Sequence, residues 1–545
     1  MTTSDVLIVG YGWAGSMMAY DLVSRGLRVV VLERGSDLPN HPSCGHFHGS
    51  QGRRPQSRTQ DAARETFTLR HHEGEQALPI RRMGSFLSGA GVGGGGVLWG
   101  GLSPRYRPES FRPAALFGEA IGRDAELDIR DWPIGYSDLS EGYSRFENLV
   151  GVAGSDGQPV DPAPTNEGPD LFRAAAQSRD LTVTSLPTSE IDIAYTNPLG
   201  VTREPCEEFG TTLATPLNTV DPYIRATGLL TVIADAQVRR VEHDGRHVTG
   251  VTYIRGGVEY TATASSYVLA AWTLNNVRLL MLSNIGAAYD PASGTGTLGR
   301  GLSNHLTLGG TAFFDSRTID SSRKTGGGWV TSDFENAGTC GRFAGGAQMH
   351  SSNLELKPKP EAVVPAGTPR WGAKWKDALR EYRDSMVRIN ITGEVVPRRT
   401  RYLGLDTVYR DAWGDPLLRL TYDWSPNERA LADAMASAAA GILGATGADR
   451  LHVPHQLSEQ YSVAAYQNSH LAGGAVMGAD PHNSVVDTEL RSWHLDNLWV
   501  VGASAFPRNA APNPTATLVA LALRAAASVA SVLTTESTTK EGRPE

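Results

Sequence analysis

The first thirty residues alternate between apolar runs and a glycine-rich turn. Asp5–Val9 is a short, mainly apolar run of the kind found in a parallel strand that is buried on both faces. The pattern then predicts a helix from about Ala14 to Arg25, ended by Gly26, and a second strand over Leu27–Leu32. This order of strand, turn, helix and strand favours an α/β fold with a parallel sheet.

The middle of the chain predicts strands of a second kind. Leu229–Val241 and Val248–Ala264 alternate well enough to form a small antiparallel sheet. Ser266–Ala271 is a further buried-strand candidate, and it precedes a helix over Leu274–Leu282.

Two long segments show little periodicity. Residues 36–80 are polar and predict a surface excursion, and residues 315–385 predict an irregular region. The chain closes with a strand over Leu498–Val501 and a long helix, for which Asn513 is a good N-cap with Pro514 in the first turn.

Composition narrows the class of protein. The chain has 545 residues, a net charge of -8 and 40% hydrophobic residues, so a largely disordered chain and a nucleic-acid-binding protein are both disfavoured. Glycine is in excess, with 60 residues, and it clusters as tight turns would require. Three cysteines without a Cys-x-x-Cys pair exclude a disulfide framework and a zinc ribbon.

Neither end of the chain resembles a targeting segment. The N-terminus lacks the basic and long apolar regions of a signal peptide, and the apolar tail over Leu518–Leu533 is interrupted by Arg524. We therefore expect a buried C-terminal helix, no membrane insertion and a cytoplasmic location.

One motif carries specific chemistry. Gly10-x-Gly12-x-x-Gly15 lies between the first predicted strand and helix, and Glu33 ends the next strand. The glycines permit a tight turn, close approach of the backbone to a pyrophosphate and close packing of helix and strand, while the acid can accept from a ribose hydroxyl. The sequence therefore predicts a dinucleotide site, and the motif alone does not separate NAD from FAD.

Four separated segments resemble the glucose–methanol–choline (GMC) family of FAD-dependent oxidoreductases. In chain order they are the fingerprint ending in Glu33-Arg34-Gly35; Gly94–Gly101 with Asp131-Trp132-Pro133-Ile134; Val268–Leu280 with Gly299–His305; and His470–Gly478 with Gly502-Ala503-Ser504 and Asn513-Pro514-Thr515. Within the family, Trp99–Phe111 is most similar to the branch of pyranose oxidases and gluconate and fructose dehydrogenase large subunits.

The resemblance implies a fold of the α/β class, α+β overall. We expect a Rossmann-like doubly wound FAD-binding domain and a substrate-binding domain with a mainly antiparallel sheet. The expected FAD-binding segments are 1–155, 206–305 and 456–535, the substrate-binding segments are 156–205 and 306–455, and 536–545 is a frayed tail.

The resemblance also assigns roles to residues. His470 is expected to be the catalytic base and Asn513 its partner on the substrate oxygen, while Gln348 and His350 would contact the sugar together with them. A neutral imidazole suits the removal of a hydroxyl proton near neutral pH. The residues expected to hold FAD are Gly10, Gly12, Trp13, Ala14, Gly15, Glu33, Arg34, Gly94, Gly95, Leu98, Trp99, Gly100, Gly101, Val238, Ala271, Gly502, Ala503, Asn513, Pro514 and Thr515.

Two departures from the family pattern refine the expectation. Pyranose oxidases carry a flavin-linked histidine at the position of Leu98, and leucine has no nucleophile, so FAD is expected to be non-covalent. The cysteine-rich segment of the gluconate dehydrogenase group is reduced to Cys206, which disfavours a membrane dehydrogenase. No metal is expected, because Cys44, His46 and His48 lack a second spaced ligand pair.

The expected reaction is oxidation of a secondary ring hydroxyl, at C2 or C3, of a pyranose sugar or glycoside, with O2 or a quinone as final acceptor. The alternatives are a dehydrogenase subunit that needs a small subunit, an oxidase of a non-sugar alcohol, a nicotinamide enzyme and an idle flavoprotein. Regiochemistry, the natural acceptor and homo-oligomerisation stay open at this point.

Overall fold

The computed structural model describes residues 4–38, 58–155, 157–207, 210–320, 326–352, 364–454, 457–463 and 469–541. Within these residues the strands are β1 (Ser4–Val9), β2 (Val29–Leu32), β3 (Phe67–Arg70), β4 (Leu78–Pro79), β5 (Thr184–Ser185), β6 (Glu190–Ile191), β7 (Tyr195–Thr196), β8 (Thr202–Arg203), β9 (Thr212–Leu213), β10 (Leu230–Ile233), β11 (Gln237–His243), β12 (Val248–Arg255), β13 (Val258–Ala262), β14 (Ala264–Leu269), β15 (Asn304–Phe313), β16 (Gly328–Thr331), β17 (Ala347–Ser352), β18 (Met386–Val395), β19 (Tyr402–Arg410), β20 (Pro416–Thr421), β21 (Arg450–His452) and β22 (Leu498–Val500).

The helices of the same residues are α1 (Trp13–Ser24), α2 (Pro113–Leu116), α3 (Gly118–Arg123), α4 (Ser140–Val150), α5 (Glu167–Gln177), α6 (Pro216–Thr219), α7 (Asp221–Ala226), α8 (Thr273–Leu282), α9 (Ala373–Tyr382), α10 (Pro426–Gly444) and α11 (Thr515–Glu541).

A five-stranded parallel sheet organises the first layer. Its order is β10-β2-β1-β14-β22, so β1 is central. β2 and β10 lie on one side of β1, and β14 and β22, which come later in the chain, lie on the other side. The residues of β1 from Val6 to Ile8 are fully buried, as a strand covered on both faces requires. The prediction of a doubly wound α/β fold is confirmed, and so are the strand, helix and strand of the first thirty residues.

The prediction for Leu229–Val241 is partly wrong. Its first half is β10, which pairs in parallel with β2 and extends the first sheet. Its second half is β11, which forms the predicted small antiparallel sheet with β12 and β13. Asp235 has a left-handed backbone (φ 55°) between the halves, so one apolar run is divided between two sheets.

The second layer is a six-stranded sheet of order β21-β15-β18-β17-β16-β5 in which all neighbours are antiparallel. One face is covered by α10 and α5. Since β16, β17 and α9 all fall within residues 315–385, the prediction that this region is irregular was wrong.

The prediction of a surface excursion over residues 36–80 was also wrong in part. β3 pairs in parallel with β20 and belongs to a four-stranded sheet of order β19-β20-β3-β4. Phe67 and Thr68 of β3 are completely buried. A four-residue strand has too short a pattern to be recognised when its partner is about 350 residues away along the chain.

The long C-terminal helix lies in the core. Residues Thr515–Thr535 of α11 are long and apolar enough to cross a membrane by length and composition, and 56% of that segment is buried within the protein. α11 packs mainly on α1 and α4. It begins at Thr515, and the Pro514 carbonyl accepts from the Leu518 N–H, so the cap position is Pro514 and the prediction of Asn513 as the N-cap was wrong by one residue.

Candidate active site

A cavity of about 370 Å³ lies at the carboxyl ends of the parallel strands. Val9 and Leu32, the last residues of β1 and β2, line this cavity. Ala270 and Val501, which directly follow β14 and β22, line it as well. The strand order reverses between β1 and β14, and a crevice at such a switch point is where open α/β sheets bind ligands.

The fingerprint glycines are required by close packing. A Cβ on Gly15 would lie 2.0 Å from the Gly10 carbonyl oxygen, and a Cβ on Gly10 would lie 2.6 Å from that of Ala270. Gly94 approaches the turn from the other side, and its Cβ would lie 2.8 Å from the Gly12 Cα. The backbone of this turn is therefore exposed to the cavity, because side chains cannot cover it.

Glu33 lies at the end of β2 and is buried. Its carboxylate accepts from the N–H groups of Tyr11, Gly35 and Gly91, each at 3.0 Å. Burial raises the pKa of Glu33, and these N–H donors oppose that rise. A carboxylate offers about four acceptor positions, so one remains for a ligand hydroxyl.

The cavity fits the expected FAD in three respects. In the described part of the chain, Trp13 and Asn275 line it, and their buried Nε1 and Oδ1 atoms have no hydrogen-bond partner. A Cβ on Gly95 or Gly100, which also line it, would meet no described atom within 4 Å. Finally, the N-terminus of α1 directs unpaired N–H groups at the turn where a pyrophosphate would lie.

Most residues expected to hold the cofactor line this cavity. Gly15 and Gly101 do not: Gly15 packs α1 on β1, and Gly101 lies against Leu213 and Glu190. The lining residues among those predicted are Gly10, Gly12, Trp13, Ala14, Glu33, Arg34, Gly94, Gly95, Leu98, Trp99, Gly100, Val238, Ala271, Gly502, Ala503, Asn513, Pro514 and Thr515.

His470 lines the same cavity as Asn513, and its position is fixed by the backbone. Ala472 and Ser303 exchange two backbone hydrogen bonds, which hold this segment beside the start of β15. The Asn509 side chain donates to the His470 carbonyl at 2.6 Å. The structure thus places the predicted base and its predicted partner in the lining of one cavity.

A second histidine contacts His470. His305, the second residue of β15, places its Nδ1 3.0 Å from Nδ1 of His470, with the two rings perpendicular. Its Nε2 lies 2.7 Å from the Ala510 carbonyl oxygen. Burial lowers the pKa of His305 to about 3, with a further lowering from His470, so His305 is neutral. His305 is the last residue of the Gly299–His305 motif, and no role was predicted for it.

The face of the six-stranded sheet that carries His305 is identifiable from the strand register. His305 lies opposite Glu394, Gln348 opposite Thr392, and His350 opposite Asn390, and directly opposed residues share a face. The other face carries Leu306 and Gly393, and a Cβ on Gly393 would lie 3.4 Å from Leu431 of α10. The side chains predicted to contact the sugar therefore share a face with the histidine that contacts His470.

Gln348 and His350 do not line the 370 Å³ cavity. Gln348 donates to Ser332 at 3.2 Å and to Glu335 at 3.3 Å. His350 is buried, and burial lowers its pKa to about 4. Its Nδ1 has no hydrogen-bond partner among the residues that the structure describes.

Other cavity residues had not been predicted. Arg278 bridges Glu65 at 2.5 Å and Asp411 at 2.7 Å, which joins three distant segments at the cavity wall. Trp272 has φ 74° and ψ 159°, a conformation essentially confined to glycine, and it lies beside Ala271 at the switch point. The signal that could have indicated Trp272 is its position shortly after the buried strand β14, beyond Ala270 and Ala271.

Acids, histidines and cysteines form no cluster with metal-site geometry within the described ranges. Cys44, His46 and His48 lie outside those ranges.

Family models match most of the length of the chain. The GMC oxidoreductase N-terminal and C-terminal models match residues 131–307 and 397–522, and an FAD-dependent oxidoreductase model matches residues 5–106. The pyridoxine 4-oxidase from Mesorbium loti has the same fold, with a TM-score of 0.63 and 20% identity over 96% of this chain and 99% of that one.

Curated relatives extend over nearly the whole chain. The gluconate 2-dehydrogenase flavoprotein of Pantoea cypripedii is 31% identical over 95% of this chain and 92% of its own. The fructose dehydrogenase large subunit of Gluconobacter japonicus is 24% identical over 96% and 97%. The pyranose 2-oxidase of Tricholoma matsutake is 42% identical over a shorter match, 12% of this chain and 11% of its own. The chain belongs to the GMC oxidoreductases, and it is an FAD-dependent enzyme that oxidises CH–OH groups.

Proposed function

We propose that this enzyme oxidises a secondary ring hydroxyl, at C2 or C3, of a pyranose sugar or glycoside to a ketosugar. The observation that carries the proposal is that His470 and Asn513 both line the cavity at the carboxyl ends of the parallel strands. The sheet face that bears Gln348 and His350 adds polar groups suited to a polyhydroxylated ring. Relatives named for gluconate, fructose and pyranose oxidation support a sugar substrate.

The chemistry divides between the cofactor and the chain. Bound FAD supplies the acceptor of a hydride, which leaves the carbinol carbon with the bonding electron pair. His470 takes the hydroxyl proton as the O–H bond breaks, so the products are a carbonyl and a protonated imidazole. The Asn513 amide can donate to the substrate oxygen and hold the C–H bond in line, a positioning effect on which rate depends steeply.

The test is a panel of compounds mixed anaerobically with the oxidised enzyme while flavin absorbance is followed. It contains free pyranoses, methyl and aryl glycosides, gluconate, and non-sugar alcohols such as pyridoxine. We expect fast bleaching with a pyranose or a glycoside, and NMR of the product should place the new ketone at C2 or C3. Bleaching confined to non-sugar alcohols would contradict the proposal.

A dehydrogenase is the second candidate for the reoxidation step. It is favoured because the match to a gluconate dehydrogenase flavoprotein covers 95% of this chain, whereas the match to a pyranose oxidase covers 12%. With the best reductant of the panel in air, an oxidase consumes O2 at the rate of sugar oxidation. A dehydrogenase turns over with a quinone and leaves O2 nearly unused.

We also propose that FAD is bound without a covalent link, since Leu98 lines the cavity and its side chain cannot form one. Acid precipitation separates the alternatives, because free FAD stays in the supernatant and linked flavin stays with the protein. Yellow precipitate and a colourless supernatant would contradict this proposal.

A further inference from the structure

The bond between His305 and His470 constrains where protons lie. The two Nδ1 atoms are 3.0 Å apart and the rings are perpendicular. A hydrogen bond between two imidazole nitrogens needs one N–H donor and one lone pair. Distance alone does not say which ring donates.

The Ala510 carbonyl shows which of the two rings donates the hydrogen bond. Its oxygen lies 2.7 Å from His305 Nε2, and a carbonyl oxygen can only accept, so Nε2 carries the hydrogen. In a neutral ring the lone pair is then on Nδ1 of His305. The hydrogen of the bond between the rings must therefore belong to His470 Nδ1.

His305 is held neutral by its surroundings. The ring is completely buried, and burial together with repulsion from a charged His470 lowers its pKa to about 3, against the opposing effect of the carbonyls of Ala510 and Asn509. The facing charges are Glu394, opposite on β18, and Arg508. These two form a buried pair with each other at 2.6 Å.

We propose that His305 is a positioning residue that fixes the tautomer of His470, with the hydrogen on Nδ1 and the lone pair on Nε2. Nε2 is then the atom that accepts the hydroxyl proton as the substrate O–H bond breaks, which rests on the function proposed above. The proton cannot pass through His305, whose second nitrogen already donates to an amide carbonyl. It stays on His470 until it leaves through the substrate side.

The direct test is NMR of the oxidised holoenzyme labelled with ¹⁵N-histidine, above the pH at which flavin reduction titrates. The His470 signals are assigned by their loss in His470→Ala. We expect a protonated, pyrrole-type Nδ1 and a pyridine-type Nε2 for His470, and the reverse assignment would overturn the proposal.

Two variants separate a tautomer effect from a packing effect. His305→Asn can keep an acceptor near the Nδ1 position and loses the bond to Ala510, whereas His305→Gln can keep that donor and loses the acceptor. We expect His305→Gln to slow flavin reduction by about 10²- to 10⁴-fold, as loss of the correct tautomer does, and to shift its pH profile. His305→Asn should retain most of the rate and the wild-type His470 tautomer.

Failure of the tautomer proposal is distinguishable from failure of the proposed function. Equal losses in both variants, with the His470 tautomer unchanged, would make His305 merely structural and end the proposal. Normal flavin reduction in His470→Ala would instead remove the base assignment, and the NMR result would still report the tautomer. Melting temperature and FAD content of each variant show whether it has folded.

Discussion

Two walls of one cavity, the glycine turn and the wall at His470, which His305 contacts from outside the lining, are built by opposite means. At the turn, Gly10, Gly12 and Gly15 act through the absence of side chains, and the backbone of Gly10 and Gly12 lines the cavity. At the pair, His470 and His305 act through side chains whose geometry depends on contacts between residues over 160 positions apart. The first wall, the glycine turn, depends on the absence of side chains. The second wall depends on the alignment of the His470 and His305 rings.

The largest effect should come from the second wall. His470→Ala should slow flavin reduction by about 10²- to 10⁴-fold, because the hydroxyl proton loses its acceptor. FAD content should be unchanged, since the turn that is expected to hold the pyrophosphate is elsewhere. Anaerobic stopped-flow measures the rate, and flavin absorbance measures the content. Loss of FAD together with loss of rate would show that the two walls are not separable.

A matched pair of glycine variants tests the first wall. Gly15→Ala places a Cβ 2.0 Å from a backbone oxygen and should lower the free energy of unfolding by about 3 kcal/mol. Gly95→Ala meets no described atom within 4 Å and should leave the FAD-free protein unchanged to about 0.5 kcal/mol.

The same Gly95→Ala variant should weaken FAD binding by about tenfold, because its methyl group competes with the cofactor for space. Urea unfolding of the FAD-free protein and titration with FAD provide the two readouts. If Gly95→Ala binds FAD as tightly as the wild type, this part of the cavity does not hold the cofactor.

A pH effect of intermediate size should come from His350, on the face of the six-stranded sheet that also carries Gln348. The pKa of His350 is about 4 in the folded protein, below the ordinary 6.5, so the unfolded chain binds the extra proton between these values. Stability contributed by the neutral ring is complete above pH 6.5 and is lost as the pH falls towards 4, at about 1.4 kcal/mol per pH unit. Subtracting the urea unfolding curve of His350→Gln from that of the wild type isolates this slope, and a flat difference would contradict it.

The smallest effect is expected for the stability of Asn513→Ala. Because α11 begins at Thr515 and the Pro514 carbonyl accepts from Leu518, the Asn513 side chain is not the cap, and its loss should change the free energy of unfolding by less than about 0.5 kcal/mol. Flavin reduction should slow by up to about tenfold, the value of one hydrogen bond to the substrate.

Ser425→Ala is the matched control for this comparison. Ser425 accepts from the Asn427 N–H at the start of α10, so its removal should cost about 1 kcal/mol. A larger stability loss in Asn513→Ala than in Ser425→Ala would restore Asn513 as a structural residue.

The contrast between the two walls also explains what the sequence could predict. The strand, turn and helix of the fingerprint are contiguous, so local pattern and glycine spacing indicated them within a few residues. The pairing of β3 with β20 and the contact of His305 with His470 join positions far apart in the chain, and neither leaves a periodic signal. The resemblance to a family supplied His470 and Asn513, which the residue pattern alone would not have distinguished from packed core residues.

α11 packs on α1, and the cavity takes lining from Val9 at one end of the chain and from Leu518 near the other. During translation the segment around Val9 is synthesised early and the segment around Leu518 late. A nascent chain therefore contains the complete fingerprint long before the residues of α11 that line the cavity have been synthesised. The cavity can be completed only after α11 has emerged from the exit tunnel. Until then the apolar surfaces of α1 and of the central sheet are exposed, and we expect synthesis of this enzyme to depend on chaperones and on cofactor supply at that late moment.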